Sequence, residues 1–426
     1  MSVMSEKFDR AELAVRWRDP AMLRRNVDVI AVLTAASLPW STSATGILGA
    51  LLFIATLVTV DPRDFLQSLK RPISALPLAL VLLAIVGTLW SDAAWGARLY
   101  AISPTAKLLM LPLLLYHFER SERGHWVFNA FLISCMLLAC MSWVVAFYPG
   151  LTMKPGGASR GIFVKDYIDQ SQEFTLCAVA LAYPILQLWQ AGRTRSALLL
   201  VLAAFSFVAN MVFVVVARVT FITLPVLLAV FAAKHLKWRT TLLIAVSGIL
   251  LAILGWAASP ELQWRTATLT KEYKLYMERG EATSIGLRIE YWRKSLGFVA
   301  EAPGIGHGTG STRGLFERAV QGTEAMASGQ VIGNPHNQTL NVAVQWGAVG
   351  VIVLYAMWIA HLLMFRGAGL VAWIGLTVVL QNMLSSLFNS HLFDFHSGWM
   401  YVLGVGVAGG MMLRERGKEQ NTSSER

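Results

Sequence analysis

The chain has 426 residues, of which 55% are hydrophobic and only 14% are charged. Because about a quarter of the residues of a soluble domain are charged, this composition excludes an ordinary cytosolic enzyme and a disordered chain. It indicates a polytopic membrane protein. The formal net charge is +11. Basic cytoplasmic loops and an anionic substrate both account for such a charge, so no nucleic acid is expected as a partner.

The N-terminal residues 1–26 are polar and basic, and an apolar run follows them. That run lacks a clear A-x-A cleavage site and precedes other apolar runs, so it is interpreted as a retained first span. A transmembrane helix needs about 20 mostly apolar residues. Twelve candidate spans lie near 27–41, 44–60, 73–90, 99–117, 125–148, 171–190, 196–215, 219–234, 240–257, 338–363, 368–389 and 394–413.

The apolar stretch 196–233 is interrupted mainly by Asn210 and Arg218. At about 1.5 Å per residue it is too long for a single crossing. We predict that it divides at Arg218, although no Gly or Pro marks a turn there.

The basic residues of the loops predict the orientation of the chain, because Lys and Arg concentrate on the cytoplasmic side. They lie in alternate loops, so both termini are predicted to be cytoplasmic. The basic groups are the N-terminal arm, Arg63/Lys70/Arg71, Arg120/Arg123, Arg193/Arg195, Lys234/Lys237/Arg239, Arg366 and Arg414/Arg416/Lys418.

The opposite side carries one medium loop, 149–170, and one long loop, about 258–337. Spaced apolar residues predict helical stretches at Gln263–Arg279 and Leu287–Ala300 within the long loop. A loop of this length is uncommon unless it is functional.

Charged residues near hydrocarbon are costly and are therefore candidates for function. Arg218 lies between two spans and has no acidic neighbour in sequence; snorkelling to the membrane interface is the alternative. Arg288 lies on the second predicted loop helix, where a surface pair with a nearby Glu is the alternative. Arg160 and Arg265 carry weaker signals, and each alone is compatible with a solvated loop charge.

His336 lies in Gly-Asn-Pro-His-Asn-Gln, where a turn meets the start of a span. A lone histidine is often structural, but an imidazole is also the natural general base near neutral pH. Arginine binds phosphate oxygens with a two-pronged fork. Arginines and one histidine on one membrane face therefore suit transfer from a lipid-linked phosphate or diphosphate to a hydroxyl acceptor.

Two other motifs suggest different ligands. The cluster His391-x-x-Asp394-x-His396 is a candidate for a divalent ion, with interface-seeking polar residues as the preferred interpretation, so no metal and no cofactor are expected. The run Gly304-x-Gly306-x-Gly308-x-Gly310 resembles a phosphate cradle, but it follows no strand of a βαβ unit. We interpret it as a flexible or tightly turned loop.

Three ordered segments together resemble bacterial O-antigen ligases, a family that also contains O-antigen polymerases. They are Ala217-Arg218-Val219-Thr220, then Leu287-Arg288-Ile289-Glu290-Tyr291-Trp292 with Pro303-Gly304-Ile305-Gly306-His307-Gly308, then Pro335-His336-Asn337 with Trp346-Gly347-Ala348-Val349-Gly350. Members often have His where this chain has Asn334, and Ser where it has Ala217.

The resemblance implies metal-independent, inverting transfer of O-antigen polysaccharide from undecaprenyl diphosphate to a sugar hydroxyl of lipid A–core at the periplasmic face. His336 matches the catalytic base. Arg218 and Arg288 match diphosphate-binding positions, and Arg265 and Arg160 are carried over to the same role. The implied partners are the lipid-linked glycan donor, the lipid A–core acceptor and membrane lipids, and the implied location is the bacterial inner membrane.

The expected fold is an all-α polytopic membrane protein with about twelve transmembrane helices, GT-C-like, with a large and partly helical periplasmic loop between helices 9 and 10. The expected divisions are a cytoplasmic N-terminal arm (1–26), transmembrane helices 1–9 (27–257), the periplasmic loop domain (258–337), transmembrane helices 10–12 (338–413) and a cytoplasmic tail (414–426).

Two other functions compete with the ligase. A polymerase of the same family would use nearly the same chemistry, with another lipid-linked glycan as acceptor. A secondary transporter would also fit twelve spans, but the halves show no repeat and no paired broken helices.

Overall fold

The computed structural model describes residues 19–154, 161–215, 217–320 and 329–424, and at positions 251, 252, 261, 265, 421, 423 and 424 it describes the backbone alone. Within these ranges the chain is helical and contains no strand. The α-helices are α1 (Pro20–Ser37), α2 (Thr42–Thr59), α3 (Pro62–Ser68), α4 (Pro72–Val86), α5 (Trp95–Ala106), α6 (Met110–Arg120), α7 (Gly124–Phe147), α8 (Tyr167–Ala180), α9 (Ala182–Gln190), α10 (Thr194–Phe213), α11 (Thr220–His235), α12 (Trp238–Ala258), α13 (Pro260–Arg279), α14 (Ser284–Glu301), α15 (Thr312–Ala319), α16 (Gln338–Met364), α17 (Leu370–Ser385) and α18 (Phe395–Ser424).

Several of these helices can cross a membrane. In the described ranges, six helical segments are long and apolar enough, namely α2, α5 with α6, α7, α10, α12 and α16. The pair α3 and α4, bent by 88°, forms a seventh if it counts as one span. Each of the twelve apolar segments predicted from the sequence coincides with one helix or a pair of helices. The chain is therefore a polytopic membrane protein, whereas twelve crossings and the predicted domain limits stay predictions.

The main apolar cluster is built where α18 packs along α6. A Cβ atom added at Gly406 would lie 2.6 Å from the Cβ of Leu114, and one added at Gly410 would lie 2.6 Å from the Cβ of Phe118. Helices in a membrane gain little from apolar burial alone, so small residues that let backbones approach closely are a main source of packing energy.

The break in the long apolar stretch lies where the sequence predicts it. α10 ends at Phe213 and α11 begins at Thr220, so Arg218 lies between the two helices. Asn210 is fully buried and shares a hydrogen bond with Ser142 of α7. This buried polar contact ties the last turn of α10 to α7.

The long loop after α12 contains helices, which confirms the two predicted helical stretches as α13 and α14. The hydroxyl of Ser259 caps the start of α13, and Gly280 ends it with a left-handed φ of 64°. Thr283 caps α14 in the same way as Ser259 caps α13. The third loop helix, α15, was not predicted.

The glycine-rich segment between α14 and α15 is tightly turned, with left-handed φ at Gly306, Gly308 and Gly310. Its amides face protein groups: the N–H of His307 donates to the carbonyl of Val344 (2.9 Å) and that of Gly308 to the carbonyl of Gln345 (2.8 Å). Because these donors are used, the segment is not a free phosphate cradle.

α16 is broken at Gly347, where φ is 57° and ψ is −152°. The break frees backbone groups, and the glycine-rich segment pairs with them: the N–H of Ala348 donates to the carbonyl of Pro303 (2.8 Å). The loop helices are thereby tied to the membrane helix that follows His336.

We predict that Gly347→Ala lowers the stability of the protein by at least about 2 kcal/mol, because this backbone conformation is essentially restricted to glycine. In addition, the new Cβ atom would lie 2.4 Å from the carbonyl oxygen of Gly304. Thermal unfolding in detergent measures the effect. Gly297→Ala is the control, since a Cβ atom there meets nothing within 4 Å. Equal stability of the two variants would contradict the assignment.

Candidate active site

His336 has an unusual backbone conformation directly before α16. Its φ is 53°, and it is the one non-glycine residue in the described ranges with a positive φ. The side-chain oxygen of Asn334 accepts from the N–H of His336 (3.0 Å) and from the hydroxyl of Ser390 (2.7 Å). Asn337 then caps α16 by accepting from the N–H of Leu340 (3.0 Å). Strained residues of this kind persist where the surroundings over-determine them, and they cluster at functional sites.

A chain of side chains orients the His336 ring. Nδ1 of His336 lies 3.0 Å from Oδ1 of Asn389, and Nδ2 of Asn389 donates to Oδ2 of Asp394 (2.7 Å). Since the carboxylate accepts, the amide presents its oxygen to the ring, and an amide oxygen can only accept. Nδ1 therefore carries the proton, and Nε2 keeps its lone pair.

The surroundings favour the neutral form of this imidazole. Burial lowers the pKa of His336, and the positive charge of Arg288 lowers it further, against an opposing contribution from the Asn389 hydrogen bond. The ring of Tyr291 lies beside it, with centroids 5.9 Å apart. A neutral ring with a free Nε2 is a proton acceptor at neutral pH.

Arg288, on α14, links the histidine to a second arginine. Burial lowers the pKa of Arg288, Arg218 lowers it further, and Tyr167 and Glu272 raise it. The nearby Glu290 instead pairs with Arg293 (2.8 Å). The surface pair considered from the sequence is therefore formed by Arg293 and not by Arg288. Arg288 instead acts electrostatically on His336 and is acted on by Arg218.

Arg218 forms a two-pronged ion pair with Glu272 of α13. Its Nη1 lies 3.3 Å from Oε2 and its Nη2 lies 3.2 Å from Oε1. The two side chains are 29% and 17% exposed. This carboxylate is 54 positions away in sequence, which is why no local pattern revealed it.

The structure does not describe the side chains of two predicted diphosphate-binding residues. Arg160 lies outside the described residues, and Arg265 lies on α13, two turns before Glu272, at a position described for its backbone alone. Their roles stay predictions.

The two histidines of the predicted His391/Asp394/His396 cluster lie beside different carboxylates. Nε2 of His391 lies 3.8 Å from Oδ2 of Asp394, whereas Nδ1 of His396 lies 2.5 Å from Oδ2 of Asp169. In the described ranges, no group of three or more His, Cys, Asp or Glu side chains is arranged to hold a metal ion.

Glu272, Asn389 and Tyr167 join the site without having been identified from the sequence. Asn389 was placed at the end of a predicted span and Tyr167 within a loop. Their contacts depend on how distant helices meet, and a short sequence window carries no signal for them. Asp394 was noticed only as a possible metal ligand or interface residue.

Comparison with known families identifies part of the chain. Residues 200–355 match the family model described as O-antigen ligase. The matched range contains Arg218, Glu272, Arg288 and His336, whereas Asn389 lies beyond it. A search of curated proteins finds no match.

We predict that Arg288→Gln raises the pKa of His336, because removal of a nearby positive charge makes the imidazolium less unfavourable. Titration of the histidine ring by NMR, on full-length protein in detergent, measures this pKa. Arg293→Gln is the matched control on the same helix, since Arg293 faces Glu290. An unchanged or lower pKa in Arg288→Gln would show that the two groups are not electrostatic neighbours.

Proposed function

We propose that this chain, whose residues 200–355 match the family model described as O-antigen ligase, is an O-antigen ligase. It would transfer O-antigen polysaccharide from undecaprenyl diphosphate to a sugar hydroxyl of lipid A–core at the periplasmic face. The observation that carries the proposal is His336, whose Nδ1 lies 3.0 Å from Oδ1 of Asn389 and which is an electrostatic neighbour of Arg288, itself an electrostatic neighbour of Arg218.

His336 acts as the general base. Its Nε2 takes the proton of the acceptor hydroxyl as the hydroxyl oxygen attacks the anomeric carbon of the donor. The bond between that carbon and the diphosphate oxygen breaks, and its electron pair leaves with undecaprenyl diphosphate. Attack from the side opposite the leaving group inverts the anomeric centre. General-base catalysis of this kind contributes about 10²- to 10⁴-fold to a rate.

Arg218 and Arg288 bind the diphosphate and stabilise the negative charge that grows on it. Guanidinium groups make short, paired hydrogen bonds to phosphate oxygens. Once the glycan donor is bound, hydrogen-bond donors that already contact it stabilise developing charge without further reorganisation. Arg265 and Arg160 are proposed to add contacts to the same group. The arginines perform the role that a divalent cation has in other transferases, so the reaction is proposed to need no metal and no cofactor.

The charges of the loops support a membrane arrangement for this site. We propose about twelve crossings in a GT-C-like arrangement in the inner membrane, with both termini cytoplasmic. The distribution of Lys and Arg supports this orientation. This orientation puts the helix ends near Arg218, His336 and Asp394 on the periplasmic side, where the lipid-linked donor and lipid A–core meet.

A polymerase is the second candidate, because the same family contains both activities and the base and the arginines would act identically. The two activities differ in the acceptor that receives the glycan. A strain lacking a polymerase still adds one repeat unit to lipid A–core, whereas a strain lacking a ligase adds none. The arrangement of ionisable groups at helix ends disfavours a transporter, whose sites lie near the bilayer midplane.

The decisive experiment is transfer in vitro by purified protein, with a lipid-linked glycan, lipid A–core and a chelator. We expect product in the presence of the chelator. We expect His336→Ala to lower the transfer rate by about 10²- to 10⁴-fold while the protein stays in the membrane. His125→Ala, at an exposed position at the start of α7, is the control. Wild-type capping in His336→Ala would refute the base, and loss of product with chelator would refute metal independence.

We predict that Asn389→Leu lowers the rate by about 100-fold, because the ring of His336 loses the group that aims it. Since the hydrogen bond that His336 donates to Asn389 raises the pKa of His336, its removal moves the acid limb of the pH–rate profile to lower pH. Rates measured across pH distinguish this role from general damage to the fold. A slower enzyme with an unshifted profile would indicate a structural role alone.

A further inference from the structure

The fork of Arg218 is already occupied by an anion of the protein itself. Both terminal nitrogens of its guanidinium face both carboxylate oxygens of Glu272, at 3.3 and 3.2 Å. Glu272 also acts electrostatically on Arg288, since its charge raises the pKa of that arginine. One carboxylate thus serves both arginines of the proposed diphosphate site.

A carboxylate and a phosphate present the same kind of oxygen pair to a guanidinium group. The Arg218 fork cannot hold both in this geometry at once. The two side chains are partly exposed, so a ligand can reach them from solvent. Ion pairs of this exposure contribute little net stability, and a phosphate of higher charge can replace the carboxylate.

We propose that Glu272 is a further residue of the diphosphate site: it pairs with the Arg218 fork and is exchanged for a donor phosphate when the donor binds. The inference rests on the proposed function of Arg218. Without an internal anion, Arg218 and Arg288 would repel each other, as the lowering of the pKa of Arg288 by Arg218 indicates. Glu272 keeps both guanidinium groups in position until the donor arrives.

The surrounding contacts leave Glu272 free to rotate away. α13 and α14 are joined by the Tyr276 hydroxyl, which donates to Glu290 (2.7 Å), and by the Thr283 hydroxyl, which donates to the backbone carbonyl of Glu272 (3.0 Å). Neither bond uses the Glu272 carboxylate. The helix pair therefore keeps these bonds when the carboxylate leaves the fork.

The exchange also bears on the end of the reaction. The leaving group is itself a diphosphate, so it remains bound to the arginines after transfer. Return of Glu272 to the fork competes with that product and favours its release. Glu272 would therefore weaken the binding of donor and product alike, and its removal would strengthen both.

The test is a calorimetric titration of the full-length protein, in detergent, with inorganic pyrophosphate. We expect Glu272→Gln to bind pyrophosphate roughly two- to fivefold more tightly than the wild type, in keeping with the modest strength of partly exposed ion pairs. Glu278→Gln is the matched control, because Glu278 is exposed on the same helix, and it should bind like the wild type. Arg218→Met should bind weakly, whether or not Glu272→Gln is added.

Equal or weaker binding by a folded Glu272→Gln variant would overturn the exchange. A second measurement needs no variant: because only a side chain moves, hydrogen–deuterium exchange of the amides of residues 268–283 should stay unchanged when pyrophosphate is added to the wild type, and faster exchange would show that the helix pair itself opens and would count against the proposal. The proposed transfer can fail separately. Tighter binding by Glu272→Gln without any glycan transfer would refute the reaction and leave the anion exchange standing.

Discussion

The site depends on one electrostatic constraint: guanidinium groups and a neutral imidazole share the end of an apolar helix bundle. The charge of Arg288 helps to keep His336 unprotonated. The same charge, together with that of Arg218, requires an anion nearby, which Glu272 supplies. An electropositive pocket beside a proton acceptor is suited to a reaction in which an anion leaves and a hydroxyl loses its proton.

Backbone geometry places the imidazole of His336 close to these charges. His336 follows a proline and has a left-handed φ, and side chains from the connection between α17 and α18 hold it from the other side. Asn389 fixes which ring nitrogen carries the proton, and Asp394 fixes which way Asn389 faces. The orientation of the proposed base is therefore set by two connections that are far apart in sequence.

Apolar patterning predicts the helices well, because burial in a membrane imposes long apolar segments whatever their partners are. It locates α13 and α14 and the break around Arg218, and the ordered motifs resemble the same family whose model matches residues 200–355. It does not find Glu272 or Asn389, which lie 54 and 53 positions from the residues they contact. Their roles arise from helix packing, for which a single sequence carries no local pattern.

The backbone hydrogen bonds between the glycine-rich segment and the interrupted helix α16 have a consequence for engineering. They join Pro303, His307 and Gly308 to positions 344–348. A chimera should therefore not be joined at the boundary between the loop and α16. A graft meant to import another enzyme's acceptor preference would have to carry residues 284–349 as one cassette. Cutting at the start of α16 would separate two halves of a single hydrogen-bonded joint.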